Sequence, residues 1–241
     1  MVKATSRRSA PARKNNGANG SYKAVVEGVL ANRRASHYIE LADDYLKRLG
    51  YTEHGFRHVN MVSRSAHDIL KKLSFGGKDA RLAAVAGLLH DTGNMLGRQG
   101  HDRTGALFAK EILEELGYGV EDVTTVMMAI MTHDEFQGAI PNPVAAALLI
   151  ADKSDVHRSR VRSAKDIKED IHDRVNYAVS SSELDVEPEA RVISLDLVID
   201  TEISHVIEYF EIFLLRMKGC REAARSLGAE FQLFINNIRM A

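Results

Sequence analysis

The sequence AAVAGLLHDTGN, residues 83–94, decides the fold. It is apolar almost throughout until it reaches His90 and Asp91, and a run this apolar belongs inside a core. An imidazole and a carboxylate are costly there unless they are paired or bound to a ligand. His90 and Asp91 therefore indicate a binding site at the end of a buried segment.

The composition is that of an ordinary globular protein. Of the 241 residues, 45% are hydrophobic and 27% are charged, and a net charge of −1 gives no reason to expect nucleic acid as the main partner. The single cysteine, Cys220, excludes an intramolecular disulfide and any cysteine-rich zinc site. The sequence holds no apolar run near the ~20 residues that span a bilayer, and no apolar signal core near its start, so we expect a cytoplasmic protein.

Residues 1–20 have the composition of a disordered tail. They carry five basic residues and no acidic ones, among several Asn, Gly and Ser residues. Such a segment cannot bury enough apolar surface to fold. We therefore predict a disordered basic tail over 1–20, a helical bundle over 21–182 and a small separate unit over 183–241.

From residue 21 to about 180 the chain has the apolar spacing of successive helices. Gly50, the sequence SFGGK and Gly117 supply stops between them. Several of these helices are apolar nearly all round, which is typical of the central helices of a bundle. The predicted helices cover about 30–49, 56–73, 79–91, 102–116, 121–133, 143–158 and 164–179.

The last fifty or so residues change character. Apolar and polar residues alternate in RVISLDLVID (191–200) and again over 229–237, which is the period of a half-buried strand. Between them, apolar residues fall at helical spacing from Ile203 to about Leu227. The predicted fold class is therefore mainly α, a helical bundle with a small C-terminal α/β unit of strand, helix and strand, which suits a parallel crossover.

The two predicted strands need partners for their outer edges. A two-stranded sheet cannot satisfy these edges internally, because each outer edge presents unpaired N–H and C=O groups. We expect the strands either to pair across a homodimer or to lie against another element of the chain. A homodimer is the assembly that we predict.

Three of the apolar helices end in imidazole and carboxylate groups. Any one such residue alone is typical of a helix cap or a satisfied core group, but three buried helices that end this way indicate a shared site. A divalent cation stabilises several buried carboxylates at once, and nitrogen and oxygen ligands without thiolate suit Mn, Fe, Co, Ni, Zn or Mg. The residues at these ends are His90, Asp91, His133, Asp134, Glu135, Asp152 and Asp155.

Other histidines lie where they can join such a site. His54 and His58 are four residues apart, so both can face one side of a helix start. His58 belongs to the inward apolar stripe, whereas His54 is a ligand, a supporting group or a loop residue. His101 and Asp102 open the next helix after a glycine-containing loop, where Asp102 can be a simple N-cap.

Together these residues resemble the HD-domain superfamily of metal-dependent phosphohydrolases. The superfamily pattern of H, HD, H, H and D is matched over about residues 54–160. The resemblance implies an HD-domain helical bundle and the hydrolysis of a phosphate monoester or diester, with a nucleotide-like substrate. The matching residues are His58, His90, Asp91, His101, His133 and Asp152, within RHVNMV, LLHDTG, HxxxG and LLIADKSD.

The resemblance also implies how these residues divide their roles. One set would hold a first metal and a pair of histidines would complete a second site, with Asp91 bridging the two. Two such cations generate hydroxide at neutral pH and clamp a phosphoryl centre. We therefore predict two divalent transition-metal ions (Mn, Fe, Co, Ni or Zn, with Mg as the alternative). The first set is His58, His90, Asp91 and Asp152; the second pair is His101 and His133; the catalytic residues are His90, Asp91 and Asp152.

The match has departures. Many relatives carry lysine where Asn94 stands, so a cation that contacts phosphate is missing there, and the GYP signature of the cyclic-di-nucleotide phosphodiesterase branch is absent from the sequence. We predict that Lys153 and Arg158 bind the substrate phosphate, as a point charge and as a bidentate fork. Alternatively, both cations lie on a solvated helix face and pair with Asp155 and Asp166.

Two functions are consistent with these residues. The first is a phosphohydrolase that acts on a phosphorylated small molecule such as a nucleotide, without a membrane or nucleic-acid partner. The alternative is a non-catalytic HD module that binds metal or nucleotide and regulates. The complete ligand set favours the enzyme, because a scaffold has no need of six costly polar groups. Asn94 and the unassigned C-terminal unit favour the regulator.

Overall fold

The computed structural model describes residues 21–134, 139–163, 167 and 170–241. The predicted tail over 1–20 lies outside these ranges, as do Glu135 and Asp166. Within them the chain is mainly α with a small C-terminal sheet, as predicted. The helices are α1 (Tyr22–Ala31), α2 (Arg33–Arg48), α3 (Phe56–Lys72), α4 (Gly77–Leu89), α5 (His101–Glu115), α6 (Val120–Met131), α7 (Pro143–Ser154), α8 (Ile171–Ala178) and α9 (Val206–Ser226); the strands are β1 (Val179–Glu187), β2 (Val192–Ile199), β3 (Glu230–Ile235) and β4 (Ile238–Arg239).

Helix α4 is enclosed by its neighbours. Every residue from Leu82 to Leu89 is buried, and α4 packs against α1, α3, α6 and α7. Helix α7 is buried in the same way from Val144 to Ala151. Although these helices are this apolar, no helix in the described ranges has the length and apolar character needed to cross a bilayer. Because α4, α6 and α7 contact one another, the polar groups at their ends can meet inside the bundle.

Three helix boundaries differ from the sequence prediction. The first predicted helix is divided at Asn32, whose side-chain oxygen accepts hydrogen bonds from two backbone N–H groups of the next turn and so begins α2. Helix α7 ends at Ser154 instead of continuing to 158. Helix α8 begins only at Ile171, where Asp170 caps it. Local side-chain caps, which apolar spacing does not report, set two of these boundaries.

The C-terminal sheet has four strands in the described residues, in the order β1-β2-β3-β4. β2 and β3 are parallel and are joined through α9, which confirms the crossover expected from the sequence. β1 was not predicted, because VSSSELDVE is mostly polar; it begins at Val179, inside the range predicted for the bundle, and pairs antiparallel with β2. β2 therefore has a partner on each edge within the chain. The homodimer stays a prediction.

Helix α9 attaches the C-terminal unit to the bundle. It contacts α7, and its buried face includes Tyr209, Phe213, Met217 and Cys220. The Tyr209 hydroxyl donates to the Met217 sulfur at 3.2 Å, so the one buried hydroxyl of this face is satisfied without water. This packing brings Arg216, which precedes Met217, to the end of the bundle that carries the polar helix ends.

Candidate metal centre

His90 and Asp91 lie in the interior, at the end of α4. His90 is fully buried and Asp91 is 4% exposed. His90 is the C-terminal cap residue of α4, and a short 3-10 helix over Thr92–Leu96 follows Asp91 directly. The two side chains approach each other to 3.2 Å, from His90 Nε2 to Asp91 Oδ2. The end of the buried segment is therefore itself the start of a polar cluster.

The structure brings the other predicted ligands to this doublet. They come from α3, from the first residue of α5, from the turn after α6 and from α7. Two histidine pairs result: His58 and His90, the first pair, with their Nε2 atoms 3.2 Å apart, and His101 and His133, the second pair, with theirs 3.3 Å apart. All four rings are buried.

Each of the four rings is oriented through its Nδ1 atom. His58 Nδ1 donates to the Asp155 carboxylate at 2.7 Å, and the other three donate to backbone carbonyls three residues earlier. Because these oxygens only accept hydrogen bonds, a neutral ring is left with its lone pair on Nε2. The three backbone bonds are His90 to Gly87 (2.9 Å), His101 to Arg98 (2.9 Å) and His133 to Ile130 (2.6 Å).

Asp91 lies between the two pairs. Its Oδ2 is 3.2 Å from His90 Nε2 and 3.6 Å from His58 Nε2. Its Oδ1 is 3.7 Å from His101 Nε2 and 3.8 Å from His133 Nε2. One carboxylate thus presents one oxygen to each pair, which is how a carboxylate bridges two cations.

Two further side chains complete the surroundings of the carboxylates. Asn94 is fully buried, and its Nδ2 donates to Asp91 Oδ1 at 2.8 Å. Asp152 Oδ1 is 3.3 Å from His58 Nε2, and its Oδ2 accepts from Lys153 Nζ at 2.5 Å. The residue that departs from the family pattern, Asn94, therefore orients the central carboxylate.

The donor set fits a divalent metal. Within each pair two Nε2 lone pairs face each other, which is repulsive unless a proton or a metal ion lies between them. Candidate ligand atoms fall into three overlapping groups whose members lie within 4.8 Å of one another, and Asp134 joins the second pair. The groups are His58, His90 and Asp152; His90, Asp91 and His133; and His101, His133 and Asp134.

The electrostatics of the cluster favour bound cations. Burial by itself would lower the pKa of His90, but the charge of Asp91 and hydrogen bonding with Asp152 raise that pKa to about 10. Burial would raise the pKa of each carboxyl, yet His90 holds the pKa of Asp91, and Lys153 that of Asp152, well below the usual range. The carboxylates therefore stay ionised, and their negative charge, which stabilises a proton on His90, also attracts a metal ion that would displace this proton.

Close backbone contact sets the distance between the pairs. A Cβ atom at Gly93 would lie 2.0 Å from the backbone oxygen of His101 and 2.5 Å from the nitrogen of Gly105. A Cβ atom at Gly105 would in turn lie 3.0 Å from the His90 carbonyl oxygen. The glycines of HDTG and HxxxG therefore let α5 pack directly on the doublet, which places His101 beside Asp91.

Cations line the small cavity over the cluster, which has a volume of about 40 Å³. Arg98 donates to His101 Nε2 at 2.9 Å and to Asp134 at 2.8 Å. Lys153 is 7% exposed and bonds Asp152, so it lies beside the cluster, and phosphate binding by Lys153 stays a prediction. Among the described residues, the cations of this lining are Arg98, Lys153, Arg160 and Arg216.

The prediction for Arg158 needs correction. Arg158 is exposed, and its guanidinium lies over the Tyr177 ring, 5.7 Å from the centroid. The short 3-10 helix that contains it turns Arg160 inward instead, where Arg160 Nη1 donates to the Asp155 backbone oxygen at 2.8 Å. The alternative, in which both cations lie in solvent, therefore holds for Arg158. It does not hold for Lys153, which is buried, and the proposed partner Asp155 is buried as well.

Sequence reasoning missed Arg98 and Arg216, and it missed the role of Asp155. Asp155 carried a signal, since it follows Asp152 by three residues, yet it was not recognised as the partner of a ring. Arg98 lies in a loop, and Arg216 approaches only through the packing of α9, so neither carries a local signal. His54 lies in the loop before α3, bonds a backbone carbonyl of that loop through Nδ1 and lines the cavity, which fits a supporting group.

The chain is similar to proteins that contain an HD domain. Residues 55–162 match the family model of the HD domain. An uncharacterized protein of Methanocaldococcus jannaschii is 26% identical over 170 residues, covering 61% of this chain and 65% of that protein, so the chain spans less than two thirds of its relative. A crystal structure of a predicted HD superfamily hydrolase from an uncultured Thermotogales bacterium is 23% identical, with a TM-score of 0.41, over 52% of this chain and 68% of that one. The range matched by the family model contains all six predicted ligands.

Proposed function

Because residues 55–162 of this chain match the HD-domain family model, we propose that it is a metal-dependent phosphohydrolase that hydrolyses a phosphate monoester or diester of nucleotide type. The observation that carries this proposal is the position of Asp91, whose two oxygens face two separate histidine pairs. A site for a single ion has no need of the second pair. The arrangement supports two ions that share one carboxylate.

The residues that would hold the metals follow from the distances. His58, His90 and Asp152 surround one position, and His101 and His133 surround the other, with Asp91 between them. When bound, divalent metal supplies Lewis acidity toward the phosphoryl group and activates water at neutral pH.

The remaining side chains would bind and orient the substrate. Lys153 and Arg98 lie at the mouth of the cluster, where their positive charges would neutralise phosphate oxygens. These cations compensate for the lysine that the family pattern has at Asn94. Asp155 and Asn94 would act through other residues, because they hold His58 and Asp91 in place.

The test is metal content and hydrolysis measured on the same preparations. Protein purified without chelator is reconstituted with Mn, Fe, Co, Ni or Zn and analysed for metal. It is then assayed against p-nitrophenyl phosphate, bis-p-nitrophenyl phosphate and nucleoside mono-, di- and triphosphates. We expect one to two equivalents of metal and hydrolysis of at least one ester.

Two variants make this test specific. Asp91→Ala removes the shared ligand and is expected to lose both metals and to lower hydrolysis by at least about a thousandfold. His37→Ala is the control, since His37 is exposed on α2 and only approaches Glu40 at 3.8 Å. Metal well below one equivalent contradicts the proposal. Full metal content without hydrolysis of any ester supports the regulatory module in its place.

A further inference from the structure

Within the described part of the chain, Arg216 differs from the other cations of the cavity because its guanidinium N–H groups have no acceptor. Among the described residues, Arg216 makes no hydrogen bond or ion pair, and its guanidinium only lies over the Phe213 ring of its own helix, 4.9 Å from the centroid. Arg160, by contrast, donates to the backbone oxygens of Glu53 and Asp155. Arg98 donates to Asp134. Arg216 can therefore bind an anion with all of its donors, in addition to the charge that Lys153 and Arg98 supply.

The surroundings of Arg216 favour an anionic ligand. Burial, together with the positive charges of Arg160 and Arg98, lowers the pKa of Arg216, although Asp152 and Asp134 oppose this. A guanidinium in this position is stabilised by an anion that supplies acceptors in its plane, and phosphate does so through two parallel hydrogen bonds.

Two larger cavities meet at Arg216. One, of about 800 Å³, lies between α7 and α9 and has an apolar wall formed by Leu149, Ile212 and Leu215. The other, of about 330 Å³, has Thr52 and Phe213 in its lining. Arg98 and Arg216 line both of these cavities as well as the cavity over the cluster. A molecule in either one can therefore place an anionic group at the cluster.

We propose that Arg216 binds the phosphate of the substrate and that the cavity between α7 and α9 holds the organic part of the ester. This inference rests on the proposed function. The larger cavity has the volume and the partly apolar wall that pockets for small organic molecules have. The substrate class is thus a phosphate ester of a molecule of about nucleotide size with an apolar or planar face. Helix α9, which lies outside the range of the family match, becomes part of the active site.

The first test replaces the guanidinium. Arg216→Gln is expected to lower kcat/KM about thirtyfold and to weaken inhibition by inorganic phosphate by a similar factor, with unchanged metal content, because a charge-assisted contact is lost. Arg216→Lys keeps the positive charge but loses the two parallel donors of the guanidinium. Its kcat/KM is therefore expected to lie between those of the parent and of Arg216→Gln. The control is Arg225→Gln on the same helix, where Arg225 is exposed and pairs with Glu222. Equal kcat/KM in Arg216→Gln and the parent overturns the inference.

If the unmodified protein hydrolyses none of the esters, the proposed function has failed. Phosphate binding then tests separately whether Arg216 binds an anion. Calorimetric titration of the metal-loaded protein with inorganic phosphate is compared between the parent and Arg216→Gln. Binding that depends on Arg216 supports the inference. Binding of equal strength in both proteins, or its absence from both, overturns it.

The second test fills one cavity at a time. Ile212→Trp is expected to lower kcat/KM for a nucleoside monophosphate about tenfold, and to leave glycerol phosphate within about twofold, because only the larger ester needs the volume. Leu214→Trp, on the same helix but 46% exposed, is the control. Thr52→Trp narrows the smaller cavity. If only Thr52→Trp lowers kcat/KM for the nucleoside monophosphate, the organic part of the ester does not lie in the larger cavity.

Discussion

The two histidine pairs are alike in distance but lie in opposite electrostatic surroundings. In the first pair, Asp91 and Asp152 raise the pKa of His90 to about 10 against the effect of burial. In the second pair, burial, the neighbouring His133 and the charge of Arg98 lower the pKa of His101 to about 4. A divalent ion responds to the same fields as a proton does. The first pair should therefore fill first and bind tightly, whereas the second should bind metal more weakly.

The supports of the two pairs differ as well. His58 in the first pair is held by the carboxylate of Asp155, which Arg57 binds at 2.6 Å. In the second pair, the Nδ1 atom of each ring bonds a backbone carbonyl instead of a carboxylate. A ring held by a charged side chain is a more basic ligand. The comparison teaches that one cluster can surround two similar histidine pairs with different charges and different supports.

The largest expected effect comes from breaking the contact that holds the pairs together. Gly93→Ala places a Cβ atom 2.0 Å from the His101 backbone oxygen, so α5 must move away from the doublet. We expect the free energy of unfolding to fall by about 3 kcal/mol, measured by urea denaturation. Gly28→Ala in α1 is the control, since a Cβ atom there meets nothing within 4 Å, and it should stabilise by up to about 1 kcal/mol. Equal free energies of unfolding for the two variants would contradict the close packing of Gly93 against the backbone of α5.

Removal of one ring should separate the two sites. His133→Ala takes a ligand only from the second pair, so about one tightly held metal should remain while hydrolysis falls about a hundredfold. His58→Ala should instead remove the tightly held ion. Elemental analysis, with folding checked by circular dichroism, measures both. An unchanged ratio of metal to protein in folded His133→Ala contradicts the two-metal assignment but leaves the phosphohydrolase proposal standing.

Loss of the Asp155 charge should weaken the first site selectively. Asp155 is 4% exposed, and burial would raise its pKa, but Arg160, His58 and Arg57 hold that pKa below its usual range. Asp155→Asn keeps the shape and should lower affinity for the first metal about ten- to a hundredfold in a metal titration. Asp185→Asn, which breaks an exposed pair with Lys72, is the control. Equal losses of metal affinity at both sites would show that Asp155 stabilises the fold in general instead of orienting His58.

The smallest expected effect concerns Arg98. Its guanidinium donates to His101 Nε2 and places a positive charge beside the second pair. Arg98→Met removes both, so affinity for the second metal should rise about threefold to tenfold when no phosphate is present. The first metal should bind as in the parent. A weaker second site in this variant would mean that Arg98 holds His101 in position instead of competing with metal.

The sequence by itself determined the helical bundle and the cluster. Periodicity reports which face of a helix is buried, and three apolar helices that end in His90, His133 and Asp152 indicate a site wherever those ends meet. The same logic predicted β2, α9 and β3, and the parallel crossover between the strands. It failed for β1, whose polar sequence is held in place by pairing with β2.

Only the tertiary structure decided how the cluster is supported and what faces it. Asp155 differs from an ordinary helix-end carboxylate only because α3 carries His58 to within 2.7 Å of it. Arg160 and Arg158 are equivalent in sequence, and the short 3-10 helix turns one inward and the other outward. Arg216 reaches the cluster because α9 packs on α7. Such contacts join residues far apart in the chain, and local spacing carries no information about them because packing alone sets the distance.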